Sequence, residues 1–324
     1  MTDGLLVLMV LSVAAVLACF RFAGCALIYD YSGYTAEYGV TIKDEASLLA
    51  YWRLGEPSTT VAGDFPAPGD AAKDEIGNTP SNPNGDHPGT YQKIPLAADA
   101  QALSPATADP PILNAGQQGL VPKAPSQTSV QVNGGFVSVP FSSTFNPTDK
   151  AFSVEAWVNP EWDMSQADVF RCVVASRQDT GAGLPKFGYI LYAGPPSLDP
   201  AKQDGKMYWQ AWVGDGPENW VMLAMDQPVE FGPTYLLLTW DGAKTITLDV
   251  FPLSAATSTR KTNPQAAYKA ITDTTIPLFI GMGTPEFAPT LHYPFLGRLQ
   301  EIAFYNEALT PTQVTAHVTA AKGA

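Results

Sequence analysis

The stretch Ala151–Pro160 reads AFSVEAWVNP, and its side chains alternate between two characters. Every second position carries an apolar group: Phe152, Val154, Ala156 and Val158. The positions between them carry Ser153, Glu155, Trp157 and Asn159. Because successive side chains of a β-strand point to opposite sides of the sheet, each set faces one side. The alternation predicts a strand whose apolar face packs between two sheets.

A β-hairpin is predicted in the stretch YLLLTWDGAKTITLDV at Tyr235–Val250. The apolar run ends at Trp240, and Asp241 and Gly242 follow, two residue types that accept positive φ in tight turns. Alternation of apolar and polar side chains resumes at Thr245. This pattern predicts two antiparallel strands joined by a short turn.

Short runs rich in Val, Ile, Phe, Tyr, Trp and Thr recur along the chain between turn residues. The candidate strands are Ala50–Leu54, Ser129–Val132, Val137–Val139, Phe152–Asn159, Arg171–Ser176, Phe187–Tyr192, Met207–Val213, Trp220–Ala224, Thr234–Trp240, Thr245–Pro252, Leu278–Met282 and Gly297–Tyr305. About a dozen strands at this spacing predict a sandwich or a barrel. A short C-terminal helix is predicted over Thr312–Ala321, because Thr310 is a suitable N-cap and Pro311 suits the first helical position.

The composition supports a β domain and restricts its partners. Gly (27) and Pro (29) are abundant among the 324 residues and only 15% of the residues are charged, which is typical of chains with many turns. The formal net charge is -13 and the 18 basic residues are scattered, so nucleic acid is excluded as a partner. The acidity has two open explanations: solubility, or Asp side chains that bind calcium.

An apolar segment begins at Leu5 and continues, interrupted by Arg21, to Ile28. As a helix it would span roughly 35 Å, enough to cross the hydrocarbon core of a bilayer. We expect a transmembrane or signal-anchor helix over 1–28 with residues 5–28 in the membrane, and a linker over 29–47. One domain then covers 48–324, with long loops at 57–123. A buried core helix and lipidation at Cys25 are the alternatives.

The cysteines do not form a disulfide framework within the β region. Cys19 and Cys25 lie in the apolar segment, and Cys172 lies alone in a candidate strand, where we expect an inert buried thiol.

The order of the motifs along the chain carries a family resemblance. The motifs are ASLLAYWRLGE (Ala46–Glu56), KDEIGN (Lys73–Asn78), VNGGFVSVP (Val132–Pro140), AFSVEAWVNP (Ala151–Pro160), YLLLTWDGAKTITLDV (Tyr235–Val250), IPLFIGMG (Ile276–Gly283) and FLGRLQEIAFYNEALTPTQV (Phe295–Val314). From about Leu48 to Val318 the succession resembles the LamG-like jelly-roll domain of the concanavalin A-like lectin/glucanase superfamily. The resemblance implies an all-β fold, a two-sheet antiparallel jelly-roll sandwich, here preceded by an N-terminal hydrophobic helix. It also implies that the last strand pairs close to the first.

The resemblance further implies a candidate calcium site. Lectin-like sandwiches often bind Ca2+ through an Asp after the first strand and acidic or carbonyl groups on the last strand. The matching positions here are Asp74, Asn78 and Glu301, whereas Gln300 replaces an Asp that relatives commonly carry. This replacement removes one negative charge from a site for a hard cation. Without calcium, Asp74 and Asn78 would be ordinary turn formers.

Catalysis has one candidate pair of side chains in the sequence. Retaining glycosidases place two carboxylates roughly 5 Å apart, and the nearest approach to such a pair is Glu161 and Asp163, in a predicted loop after Pro160. No third acid follows, and neither a nucleophilic elbow nor a zinc spacing is present. We therefore predict that the protein is not an enzyme.

Three aromatic side chains are candidates for ligand contact: Tyr208, Trp212 and Trp220. They lie near loops at 195–204 and 214–219, where planar rings can stack on the apolar faces of sugars. Core packing is the alternative role for each ring.

Together these patterns predict a non-catalytic module that is anchored to a membrane or a particle and recognises glycans or a protein surface. The domain is expected on the extracytoplasmic side or on the particle surface. Two other functions remain open. One is a structural decoration subunit of a surface or phage-like assembly, including a homo-oligomer, and the other is a glycoside hydrolase.

Overall fold

The computed structural model describes residues 37–55, 68–76, 86–93, 114–121, 128–162, 170–179, 186–197, 200–216, 220–264, 276–283 and 293–323. Two α-helices lie in this part of the chain, α1 (Glu37–Lys43) and α2 (Pro311–Lys322), together with two 3-10 helices of three residues each, Ser143–Phe145 and Pro200–Lys202. The strands are β1 (Leu48–Trp52), β2 (Ala71–Ala72), β3 (Gly89–Lys93), β4 (Asn114–Gln118), β5 (Thr128–Gln131), β6 (Gly135–Val139), β7 (Phe152–Pro160), β8 (Arg171–Asp179), β9 (Lys186–Gly194), β10 (Tyr208–Gly216), β11 (Trp220–Pro228), β12 (Thr234–Trp240), β13 (Thr245–Pro252), β14 (Thr259–Pro264), β15 (Leu278–Ile280) and β16 (Gly297–Tyr305).

These strands form two antiparallel sheets of eight strands each. The first sheet has the order β14-β13-β12-β7-β16-β5-β4, and β1 also pairs with β16. The second sheet has the order β11-β10-β9-β8-β15-β6-β3-β2. The predicted two-sheet antiparallel sandwich is therefore confirmed, and each of the twelve candidate strands overlaps an observed strand.

The alternation in β7 is confirmed by the packing on its two sides. Phe152, Val154, Ala156 and Val158 all lie in the core between the two sheets. There the ring of Phe152 stacks on that of Phe304 from β16, with the ring centroids 5.8 Å apart. Burial of each large apolar side chain stabilises the sandwich by about 1.5–3 kcal/mol.

The hairpin and the helix cap also form as predicted. The Oδ1 atom of Asp241 accepts the backbone N–H groups of residues 243, 244 and 245 at 2.7–2.9 Å. Gly242 has a φ of 79°, and a Cβ there would lie 2.7 Å from the backbone N of Ala151. Thr310 caps α2 through a capping box with Gln313.

The linker predicted over 29–47 is wrong for its C-terminal part, because residues from Glu37 onward belong to the compact unit of the domain. α1 lies against the outer surface of the first sheet next to α2, and its Tyr38 and Ile42 are fully buried there. The outer surface of the first sheet is thus covered by both helices.

The long loops predicted over 57–123 are also wrong where the structure describes this range. β2, β3 and β4 lie there and extend the two sheets at their edges. These strands are short or polar, so they lack the alternation by which the central strands are recognised. β14, with the sequence TRKTNP, was missed for the same reason.

The apolar segment 1–28 lies outside the described residues. Within the described ranges, no helix has both the length and the apolar character needed to cross a bilayer.

Candidate functional site

The outer surface of the second sheet carries large aromatic side chains. On β10, Trp209, Ala211 and Val213 face the core between the sheets, so the residues that alternate with them face outward. We use the name outer aromatic face for six residues on this side: Phe170, Tyr192, Tyr208, Trp212, Trp220 and Tyr293. Among the described residues no helix covers this face.

The rings of this face differ in exposure. Trp212 and Tyr192 are buried at its centre together with Ile190 and Cys172. The four other members of the face are partly exposed. Met222, which pairs with Trp212 across β10 and β11, is 38% exposed. The accessible part of the face is therefore its rim, which surrounds a packed centre.

A glycine makes room for one of the rim rings. The ring of Phe170 lies edge-on to Tyr192 and to Tyr293, with centroid distances of 5.7 and 5.3 Å. A Cβ on Gly194 would lie 2.5 Å from Cδ1 of Phe170, so the close approach of that ring requires glycine.

A buried arginine supports the centre of the face. The guanidinium of Arg177 lies 5.3 Å from the ring of Trp212 and 5.9 Å from that of Tyr293. Gly188 lies opposite Arg177 on the neighbouring strand β9, and a Cβ there would lie 2.0 Å from the carbonyl oxygen of Ser176, so this close approach of the two strands requires glycine. Cation–π contacts of this kind hold the indole in place.

Hydrogen bonds within the face occupy its polar groups. The Tyr192 hydroxyl donates to Oε1 of Gln210 at 2.9 Å, and Nε2 of Gln210 donates to the carbonyl oxygens of Gly194 and Pro195 at 3.0 and 2.6 Å. The Tyr208 hydroxyl donates to Oδ2 of Asp204 at 2.5 Å, and this hydrogen bond raises the pKa of Tyr208.

The structure brings the three aromatic residues predicted for ligand contact onto this one face. Tyr208 and Trp212 lie on β10, and Trp220 lies on the adjacent β11, opposite Gly214. Trp212 is only 3% exposed, which leaves Tyr208 and Trp220 to offer surface. Phe170, Tyr192 and Tyr293 were not predicted from the sequence. Alternation along β9 could have revealed Tyr192, whereas the other two lie just outside strands.

The residues predicted for calcium already have protein donors. Oδ1 of Asp74 accepts the backbone N–H groups of Tyr51 and Ile76, and Oδ2 accepts that of His87, at 3.0–3.1 Å. Glu301 is fully buried and accepts the Tyr51 hydroxyl. Asn78 lies outside the described residues, and within them no group of three or more acidic, His or Cys side chains could hold a metal ion. Calcium binding through Asp74, Asn78 and Glu301 stays a prediction.

A buried polar cluster lies under α1 and α2, on the outer side of the first sheet. Glu155 accepts the hydroxyls of Tyr38 and Tyr235 at 2.9 and 2.6 Å and contacts Nδ1 of His317 at 2.8 Å. The other ring nitrogen of His317 contacts Glu45 at 3.2 Å. This cluster joins the sheet to both helices.

The charges in this cluster are stabilised by one another. Burial by itself would raise the pKa of Glu155, but His317 and the tyrosine hydroxyls outweigh burial and lower it. For His317, burial by itself would lower the pKa, because burial disfavours the charged form, but Glu155 and Glu45 outweigh burial and raise it. Glu155 and His317 therefore each favour the charged form of the other.

The pKa of Glu301 shifts in the opposite direction to that of Glu155. Its φ is 54°, and it lies where β16 changes its partner from β5 to β1. Burial raises the pKa of Glu301 to about 8, because the bonds from Tyr51 and Gln300 and the charge of Arg53 do not offset the loss of solvation.

Two of the side chains considered for catalysis, Glu161 and Cys172, lie in the described part of the chain. Glu161 accepts hydrogen bonds from Arg298 and Asn159 at 2.7 and 3.0 Å, and Asp163 lies outside the described residues. Burial raises the pKa of Cys172 to about 12, so its thiol is protonated at neutral pH, as predicted for an inert side chain.

Several solved structures are similar to this chain. The binding domain of Paraclostridial Mosquitocidal Protein 1 is 11% identical with a TM-score of 0.48, over 86% of this chain and 52% of that chain. Domain 4 of AbnA, an extracellular GH43 arabinanase from Geobacillus stearothermophilus solved with arabinotriose, is 16% identical with a TM-score of 0.44, over 84% of this chain and 98% of that chain. The Ruminococcus gnavus IT-sialidase CBM40, bound to alpha2,3 sialyllactose, is 16% identical with a TM-score of 0.39, over 52% of this chain and 83% of that chain. The chain spans about half the length of the toxin binding domains that it matches.

The sequence comparisons identify the family. A search of curated proteins found no match. A laminin-G family model, described as the concanavalin A-like lectin/glucanases superfamily, matches residues 132–315, which is more than half of the chain. These residues include the central strands of both sheets and the start of α2. The chain therefore belongs to the concanavalin A-like lectin/glucanase superfamily.

Proposed function

We propose that this chain is a non-catalytic binding module that recognises glycans through the outer aromatic face. One observation carries the proposal: partly exposed rings gather on a sheet surface that no described helix covers. A sheet surface that faces solvent is usually polar, so a cluster of aromatic side chains there is typical of a binding surface.

The chemistry of the rim suits sugars. Indole and phenol rings are rigid and planar, and they stack on the C–H faces of sugar rings with little loss of conformational entropy. Trp220 lies opposite Gly214, six residues along β10 from Tyr208, so the two rings lie at opposite ends of the hairpin, roughly 20 Å apart along the strands. An oligosaccharide long enough to span the face would contact both rings, and a shorter one would stack on one of them.

Recognition of a protein surface and a structural role in an assembly are the rival functions. The partly exposed side chain of Met222, opposite Trp212, favours the first rival, because flexible apolar side chains adapt to protein partners. Binding of the full-length chain to a glycan array separates the three functions. A blank array, together with ordered copies of the chain in an assembly, would favour the structural role.

Substitution of Trp220 by alanine tests the site itself. We expect Trp220→Ala to weaken glycan binding about tenfold, because a stacked ring contributes on the order of 1 kcal/mol or more. The matched control is Phe231→Ala, which removes an exposed ring beside Trp162, away from the outer aromatic face. Equal affinity of the two variants, measured by calorimetric titration, would place the binding site elsewhere.

The non-catalytic character is supported by the state of the carboxylates. Glu155 and Glu301 are fully buried on the outer side of the first sheet, and Glu161 is bound to Arg298. The alternative function, a glycoside hydrolase, would be supported if the protein released sugar and if Glu161→Gln or Asp163→Asn abolished that release.

We further propose that residues 5–28 hold the domain on a membrane or a particle. The support is the length and apolar character of that segment in the sequence. Alkaline carbonate extraction of the full-length protein is the test, and we expect the protein in the membrane fraction. Release into the soluble fraction would exclude a bilayer span and favour attachment to protein.

A further inference from the structure

We infer that the glycan bound by the outer aromatic face is uncharged, and this inference rests on the proposed glycan-binding function. The ligand class is an oligosaccharide without carboxylate or sulfate groups. The face would hold such a ligand by stacking and would distinguish it from acidic sugars.

Arg177 is the cation at the centre of this face, and an acidic sugar would need an accessible cation. Its side chain is only 4% exposed, and its guanidinium lies 5.3 Å from the ring of Trp212 and 5.9 Å from that of Tyr293. The positive charge is therefore directed at the aromatic rings, and a ligand carboxylate would have to separate them to reach it.

The neutral polar groups of the face are already engaged within the protein. Both amide atoms of Gln210 have partners, Oε1 in Tyr192 and Nε2 in two backbone carbonyls. The hydroxyl of Tyr208 is bound to Asp204. Because these donors already have partners, a carboxylate would lose its hydration without gaining hydrogen bonds from them.

The charges at the rim are balanced. Asp226 lies on β11 on the same side as Trp220 and Met222, and its side chain is 76% exposed. Its partner Lys261 lies 2.5 Å away and balances its charge. Asp204 at the other side is likewise accompanied by Lys206. The described rim thus has no excess of positive charge, and the net charge of -13 repels anions at longer range.

What remains accessible is apolar ring surface, and this has two consequences. Affinity should depend on the area of sugar C–H surface that covers Trp220. It should also be insensitive to salt, because screening weakens charge–charge contacts and leaves stacking unchanged.

The experiment uses matched pairs of oligosaccharides that differ in one carboxylate. Lactose is compared with sialyllactose. In a second set, each neutral oligosaccharide is compared with the same oligosaccharide carrying a terminal glucuronic acid. Binding to the full-length chain is titrated at roughly 20 and 500 mM NaCl, across the range over which screening becomes strong. Trp220→Ala and its control Phe231→Ala are titrated in parallel.

We expect the neutral member of each pair that binds to bind about tenfold or more tightly than the acidic member, because the added carboxylate would lose hydration without gaining a hydrogen bond from the face. We also expect its affinity to change less than about twofold with salt.

Acidic members that bind equally well or better, with binding lost in Trp220→Ala, would leave the glycan-binding function intact and overturn the inference. Binding that falls steeply with salt and is lost in Arg177→Gln would overturn the inference as well. Absence of binding to every glycan would remove the proposed function and the inference with it.

Discussion

Glu155 and Glu301 are both fully buried among tyrosine side chains, yet their environments favour opposite protonation states. Glu155 faces the imidazole of His317 and accepts tyrosine hydroxyls, and these partners favour its carboxylate. Glu301 has a tyrosine and an amide as donors, and the negative charge of Glu155 disfavours its ionisation. Burial is the largest influence on both acids, and it prevails at Glu301, whereas at Glu155 the imidazole of His317 and the tyrosine hydroxyls outweigh it.

The raised pKa of Glu301 makes stability depend on pH. Between its ordinary pKa of 4.5 and its folded value of about 8, the folded chain holds a proton that the unfolded chain has released. The free energy of unfolding therefore decreases as the pH rises through this window, by at most about 1.4 kcal/mol per pH unit. We expect Glu301→Gln to remove this decrease and to be more stable than the natural chain at pH 8.

Urea denaturation at several pH values between 5 and about 8.5 measures this effect. The control is Glu161→Gln, which changes an exposed carboxylate bound to Arg298 and should leave the slope as it is. An equal slope in the natural chain and in Glu301→Gln would show that Glu301 is ionised when folded.

At the scale of elements, the central strands could be predicted from the sequence and the peripheral ones could not. β7, β12 and β13 lie in the middle of a sheet, so burial imposes the alternation by which they are recognised. β14 lies at an edge, held by Asp249 and Arg260 through two hydrogen bonds of 2.7 and 2.9 Å. Backbone pairing with β13 and an ion pair of this kind leave no periodic pattern in the sequence.

α1 was missed for a related reason. Its seven residues include Gly39 and three β-branched side chains, so the local preference for a helix is weak. The helix is held by contacts that form only in the folded protein: the hydroxyl of Tyr38 on Glu155 and the ring of Tyr38 edge-on to Trp157 at 6.3 Å.

We therefore expect α1 to be sensitive to changes in Tyr38. Tyr38→Phe removes the hydrogen bond to Glu155 and should lower the free energy of unfolding by about 1–2 kcal/mol. Tyr38→Ala also removes the ring and should cost about 3–5 kcal/mol. Val40→Ala on the same helix is the control, because Val40 is 53% exposed. If urea denaturation showed no change in the free energy of unfolding for any of the three variants, residues 37–43 would act as a linker.

At the scale of the whole molecule, the two outer surfaces of the sandwich have different roles. Both helices cover the first sheet and bury its glutamates, whereas the second sheet carries the outer aromatic face. The sequence identified Trp220 and Tyr208 as aromatic residues on strands. It did not distinguish them from the buried Trp212, because alternation assigns a side and does not show what covers that side.

The edges of the two sheets meet at β11 and β14. The side-chain amide of Asn263 donates to the carbonyl of Met222 at 3.0 Å, and Lys261 binds Asp226. These contacts occupy groups that a foreign strand would otherwise pair with.

The pairing of β1 with β16 has a consequence for how the protein is made. Tyr51 of β1 and its partner Glu301 are separated by 250 positions, so on a ribosome the first strand waits on the order of tens of seconds for its neighbour to emerge. Until β16 emerges, Trp52 and the other apolar side chains of β1 are exposed on the nascent chain. Chaperones, or early folding of the central strands, must then prevent these side chains from aggregating with other chains. A nascent chain arrested before Gly297 should therefore be cleaved by protease at β1, and a chain released after Gly323 should resist.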